Sequence, residues 1–214
     1  MVQMTQNRVE PGFQKAKMLE TARRLFWEKG YNATSMRDIA VVYGCRPANI
    51  YNFFSDKEEI LFEVLREEMK QIVNPIKHLE GDDGTSPIEQ LKFIIESHLK
   101  VTLSYRRSAK MLFDVALDSL SPDKRKKIIG FRDTYDRIIR NVIRRGMDTG
   151  IFPKVDVRLA GFMIASMITR TRIWFHPKKG VSVSELADFI SEFAFNGLKG
   201  SGARKRGSSR RLSS

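Results

Sequence analysis

Residues 45–54, CRPANIYNFF, gather an arginine, two asparagines and a tyrosine between a cysteine and a pair of phenylalanines. An arginine fork fits the O6 and N7 acceptors of guanine, and an asparagine amide matches N6 and N7 of adenine. On a short helix, Ile50, Phe53 and Phe54 would turn inward while Arg46, Asn49, Tyr51 and Asn52 face outward. The chemistry on offer is recognition of a hydrogen-bonding surface.

Signatures of bond-breaking chemistry are missing. His78, His98 and His176 lie far apart and lack metal-ligand spacing. No GxSxG elbow, Walker loop or GxGxxG turn occurs, and Asp82-Asp83 sits in a glycine-rich stretch that reads as a solvated turn. We therefore expect no catalytic residues, no metal and no cofactor. The single cysteine, Cys45, excludes an internal disulfide, suits a reducing cytoplasm and reads as a packing residue. The opening MVQMTQNRVEPGF has no apolar signal segment, and no apolar run approaches the roughly 18 residues of a membrane span. A cytoplasmic protein without membrane contact is the expectation. Its net charge of +13 is unevenly placed. Residues 1–57 carry nine lysines and arginines against five acids, and residues 201–214 add five more cations with no acid. Cationic excess at both ends points to a polyanion, most often nucleic acid.

The elements that must position these residues are helical throughout, because alternating strand patterns are absent. Met18, Ala22, Leu25 and Phe26 share one face of a helix over 14–29, stopped by Gly30. Ser35-Met-Arg-Asp38 has the form of a capping box and opens a short helix ending near Gly44; the quoted stretch makes a third helix over about 47–53. Ser55-Asp-Lys-Glu58 reads as another capping box, opening a helix to about 79. After the break at GDDGTSP, periodicity predicts helices over 87–104, about 107–118, 122–149, 156–175 and 183–198. An all-α, nine-helix protein is expected. Its parts would be an N-terminal three-helix head over 1–57, a larger helical domain over 58–200, and a basic disordered tail over 201–214.

Two short helices joined by a turn at Gly44, behind a longer supporting helix, form a helix-turn-helix pattern. Leu25-Phe26, Gly30-Tyr31, Ala33-Thr34, Asp38-Ile39-Ala40, Gly44, Tyr51, Phe54 and Lys57 stand at the spacing of one family. In these residues the chain resembles the DNA-binding domain of TetR-type transcriptional regulators. The resemblance implies a recognition helix presenting Arg46, Pro47, Ala48, Asn49, Tyr51 and Asn52 to the major groove. It also implies phosphate contacts from Thr34, Tyr51 and Lys57; Ser35 and Arg37 at the start of the second helix join them by position. Many relatives carry a capping Ser or Thr where Arg46 stands, so Arg46 is a candidate for altered base preference.

The same resemblance implies a C-terminal domain that binds a small molecule and forms a homodimer on operator DNA. WFHPKKGVSVSELADFISEFAFNGL and GMDTGIFPKVDVRLAG are similar to the acyl-CoA-responsive subgroup that governs fatty-acid and steroid catabolism. Expected ligand-binding residues are Leu99, Leu103, Arg106, Met111, Phe131, Tyr135, Phe162, Met163, Met167, Arg170 and Trp174, an apolar tunnel with cations for CoA phosphates. The two last helices would pair with their twofold copies through Gly161, Ala165, Trp174, Leu186, Phe189, Ile190 and Phe193. The expected function is a repressor released from a palindromic operator by an apolar ligand, with acyl-CoA as the candidate effector. Its rivals are a ligand-independent architectural DNA-binding protein and a small helical enzyme.

Overall fold

The computed structural model of the protein describes residues 11–104, 117–176 and 180–200. Among them lie eight α-helices and no strand: α1 Pro11–Glu28, α2 Met36–Tyr43, α3 Pro47–Tyr51, α4 Lys57–Val73, α5 Pro87–Ser104, α6 Pro122–Asp148, α7 Val157–Trp174 and α8 Val183–Gly200. The helix expected over about 107–118 falls almost wholly outside the described residues, as does the basic tail. A 3-10 turn over Asn74–Leu79 replaces the expected last turns of α4. Pro75 explains this, since it has no N–H to give and its ring crowds the preceding turn.

The helix ends follow local chemistry. Ser35 caps α2 as expected: its hydroxyl accepts from the Asp38 N–H at 3.1 Å, and Asp38 accepts from the Ser35 N–H at 2.7 Å. Gly44 ends α2 at φ 85°, a left-handed conformation that glycine adopts without a Cβ penalty. The cap of α4 lies one residue later than the sequence suggests. Asp56 accepts from the Glu59 N–H at 2.7 Å, and Glu59 accepts from the Ser55 N–H at 2.6 Å. That shift releases Glu58 for another contact, described below.

Two compact units divide the chain within α6. The first draws on Met1–Asn74 and Ser104–Asp133, the second on Pro75–Leu103 and Thr134–Ser214. In the first, α1, α2 and α4 enclose Ala22, Phe26, Ile39, Ile50, Phe54 and Leu61, all at most 1% exposed. The second has its core in Leu91, Ile95 and Leu99 of α5, Ile139 and Ile143 of α6 and Ile168 of α7. Arg145 also ties down the loop before α5, donating to the Thr85 carbonyl at 3.1 Å and to Asp83 at 3.0 Å. Within that loop, hydrogen bonds from Thr85 and Gln90 hold the Asp82 carboxyl down at about 2.

Candidate nucleic-acid interface

The recognition segment is anchored by two side chains and otherwise exposed. Ile50 and Phe54 are 0% and 1% exposed, fixing α3 to the core of the first unit. Arg46, Pro47, Ala48, Asn49, Tyr51 and Asn52 all face solvent. Arg46 occupies the N-cap position without a side-chain cap, and Pro47 follows at the first helical position, where a missing N–H removes no helical bond. The guanidinium is thus left to act outside the helix. Ser35 and Arg37 are exposed at the start of α2 as well, beside N–H groups and a positive helix end that suit an anionic backbone.

Thr34 and Lys57, expected at phosphates, are held elsewhere. Thr34 is 2% exposed, and its hydroxyl donates to the Gly30 carbonyl at 2.9 Å. Lys57 donates to the Tyr31 and Thr34 carbonyls, both at 2.9 Å, with its ammonium 4.3 Å from the Tyr31 ring centroid. Both residues clamp the turn that leads into α2. Burial, followed by the charges of Glu58 and Asp56, raises the Tyr31 phenol above its ordinary value, so it stays neutral under the ammonium.

Glu58, next along α4, turns to a different partner. Its carboxylate accepts from the Ser121 N–H at 2.8 Å, at the start of α6, and lies 3.5 Å from Lys124 Nζ. These contacts, Ser121 first, hold its pKa below the usual carboxylate value. Capping logic assigns Glu58 to its own helix and so misses this link.

In the second unit the expected ligand residues separate. Leu99 and Tyr135 are buried, 0% and 4% exposed, and Leu103 is half-buried. Phe131 is half-buried and belongs to the first unit. Arg106 and Met111 lie outside the described residues. Phe162 and Met163, expected as walls of an apolar tunnel, are exposed on an outward face of α7, together with Arg170, expected at CoA phosphates, and Trp174, expected at both the ligand and the dimer face. Met167 is half-buried on that face. Arg170 and Trp174 line an open groove of about 460 Å³ with Leu186, Phe189, Ile190 and Phe193. With Met167 also on its wall, the groove joins three expected ligand residues to Leu186, Phe189, Ile190 and Phe193, four expected dimer residues. Ala165 is half-buried on α7. Gly161 is corrected from the dimer face: it is buried, and a Cβ there would meet Ile139 Cγ2 at 3.4 Å, inside the chain.

His98 gains no role from metal-type spacing, yet it is placed with care. It lies 5% exposed on α5, its Nδ1 2.9 Å from the Tyr135 hydroxyl on α6. Burial, and secondarily the charge of Arg172, push its pKa down to about 4. A signal for it exists in the sequence, since His98 interrupts the apolar face of Leu91, Ile94, Ile95 and Leu99. Among the described residues no group of His, Cys, Asp and Glu could hold a metal. No helix there is long and apolar enough to cross a membrane.

Comparison with known proteins meets this geometry at both ends of the chain. Residues 18–64 match the model of bacterial regulatory proteins of the tetR family, and residues 84–198, over half the chain, match the tetracyclin repressor-like C-terminal domain. The fatty acid metabolism regulator protein of Bacillus subtilis is 25% identical over 183 residues, 85% of this chain and 93% of that protein. The crystal structure of the TetR family transcriptional regulator PfmR from Thermus thermophilus is 36% identical, with a TM-score of 0.74 over 85% of this chain and 98% of that one. AibR, solved in complex with isovaleryl coenzyme A and operator DNA, shares the fold at a TM-score of 0.75 and 21% identity, covering 85% of this chain and 98% of its own. With a helix-turn-helix head and matches over both regions, the chain belongs to the TetR family of bacterial transcriptional regulators.

Proposed function

We propose that the protein binds a palindromic operator as a homodimer through α2 and α3, represses from it, and leaves it when an apolar effector, an acyl-CoA, is bound. The observation that carries the reading is the exposed row of Arg46, Asn49, Tyr51 and Asn52 on a helix pinned from behind by Ile50 and Phe54. Arg46 reads guanine and Asn49 reads adenine, while Ser35, Arg37 and Tyr51 set register on phosphates. Two copies present their recognition helices to successive major grooves, about 34–36 Å apart. The copies meet on the α7–α8 face, where Phe162, Met163, Trp174, Phe189 and Phe193 are each more than half exposed; a contiguous apolar patch of this kind is a usual mark of association.

The acyl-CoA effector rests on kinship of name and fold: the Bacillus relative is a fatty acid metabolism regulator, and AibR carries isovaleryl coenzyme A. The effector would act by differential affinity, favouring a dimer whose helices no longer match the groove spacing. The protein works without catalysis, in the cytoplasm. The test is a footprint on the DNA flanking its own gene at physiological salt, repeated with acyl-CoAs of increasing chain length. Protection of a palindrome, lost with one range of chain lengths, is the expected result. An absent footprint overturns the regulator mechanism, and a footprint indifferent to every acyl-CoA overturns the effector.

A further inference from the structure

α6 opens with the wrong charge for a helix start. α2, α4, α5 and α8 each place an acid in their first turn, where the backbone carries partial positive charge. α6 has Asp123 there and then four cations in a row, Lys124, Arg125, Lys126 and Lys127. Over residues 121–133 five cations stand against two acids. The helix dipole and the neighbouring like charges both oppose this arrangement. A run of this kind costs the folded chain stability, and it points to an anion outside the chain.

Half of the run is answered internally. Lys124 lies 3.5 Å from the Glu58 carboxylate, and Arg125 lies 3.0 Å from Asp118. Lys126 and Lys127 are exposed and make no ion pair or hydrogen bond among the described residues. The Ser121 N–H before the helix is already taken by Glu58, so the free ammonium groups are what this surface offers.

The run is also pinned to the reading head. Glu58 accepts from the Ser121 N–H at 2.8 Å, while the preceding residue, Lys57, donates to the Tyr31 and Thr34 carbonyls at 2.9 Å. The turn held by Lys57 leads straight into Ser35 and Arg37. Two adjacent residues of α4 thus connect the start of α6 to the start of α2, all within the first unit. The acids on this path are occupied: Glu58 as above, Asp56 by the Glu59 N–H, and Glu59 by Ser55. Asp123, exposed beside the run, is the acid that the two free lysines have to outweigh.

We propose that Lys126 and Lys127 form an auxiliary phosphate contact outside the helix-turn-helix, gripping duplex DNA that flanks the bases read by α3. The proposal rests on the operator reading above and adds a second surface to it. An ammonium on a flexible stem is a compact point charge that follows a backbone without selecting a base. This surface therefore sets affinity and salt dependence and leaves the choice of site to α3.

Lys126→Gln with Lys127→Gln in the full-length protein tests it. Binding is titrated between about 50 and 200 mM salt on two duplexes: the footprinted palindrome cut flush, and the same palindrome extended by about one helical turn, ten base pairs, on each side. On the long duplex the double variant should bind more weakly, with a slope of log affinity against log salt shallower by about 3 to 4, for four contacts per dimer. Across that range the wild type should lose roughly 100-fold more affinity than the variant. An unrelated duplex of the same length should show the same change, so the specificity ratio stays constant. On the flush duplex the two proteins should match. Lys126→Arg with Lys127→Arg should restore the wild-type slope, and the glutamine variant should melt no lower than the wild type, since it loses cations at a positive helix end. Equal slopes on the long duplex overturn the proposal and leave the pair to an acidic protein partner. A loss equally large on the flush duplex, or a lowered melting temperature, overturns it too by placing the fault in the head or the fold. If the wild type protects no palindrome, the operator reading fails and this surface falls with it.

Discussion

Because Arg46 has no capping bond to lose, Arg46→Ala should leave folding unchanged. It should relax preference at one base pair by about 1–3 kcal/mol, read by competition among operator variants; an equal loss on every sequence, with a shallower salt slope, would make it a phosphate contact. Lys57→Met removes the donor shared by the Tyr31 and Thr34 carbonyls and should cost about 1–3 kcal/mol in urea unfolding. The salt dependence of its DNA binding should stay as in the wild type. His98 titrates at about 4 folded, against 6.5 in its ordinary state. A depressed histidine pKa means the unfolded chain binds the extra proton first, so stability is full above pH 6.5 and drains away between 6.5 and 4. The loss should approach roughly 3 kcal/mol by pH 4, and His98→Leu should flatten that part of a pH–stability curve.

Element boundaries are largely legible where the chain announces them with side chains. Ser35 with Asp38, Gly44 and Gly150 mark ends that the structure keeps, because each depends only on residues one turn away. At Ser55–Glu59 the same logic slips by one position. Two serviceable caps, Ser55 and Asp56, lie side by side with acids three residues on, and the choice is made by Glu58 bonding Ser121, 63 residues distant. The outward face of α7 is legible only in part, at Trp174, for a related reason. Periodicity identifies Phe162, Met163, Arg170 and Trp174 as one face of a helix, but only tertiary packing decides which face meets the core. Gly146 belongs at this scale too: a Cβ there would overlap Cδ2 and Cε2 of Phe152, the ring that closes the α6–α7 turn. Gly146→Ala should lower the melting temperature, costing about 1–3 kcal/mol as overpacking does, and Gly146→Ala with Phe152→Leu should regain part of the loss.

At the scale of the whole molecule, the apolar α7–α8 face and the basic head imply that assembly and DNA binding stand or fall together. Phe193→Glu would set a charge in the middle of the exposed face. Sedimentation should then show a monomer whose affinity for a full palindrome drops to that for a half-site. The pair at the start of α4 has a further consequence, for anyone re-targeting the protein. Lys57 grips the turn before α2 while its neighbour Glu58 grips the first residue of the α6 approach. A chimera that grafts a foreign reading head by cutting between these two neighbours would inherit one grip and orphan the other. A transplant that keeps its aim has to carry both residues and bring a matching Ser121 with it, so the exchangeable cassette is discontinuous in sequence.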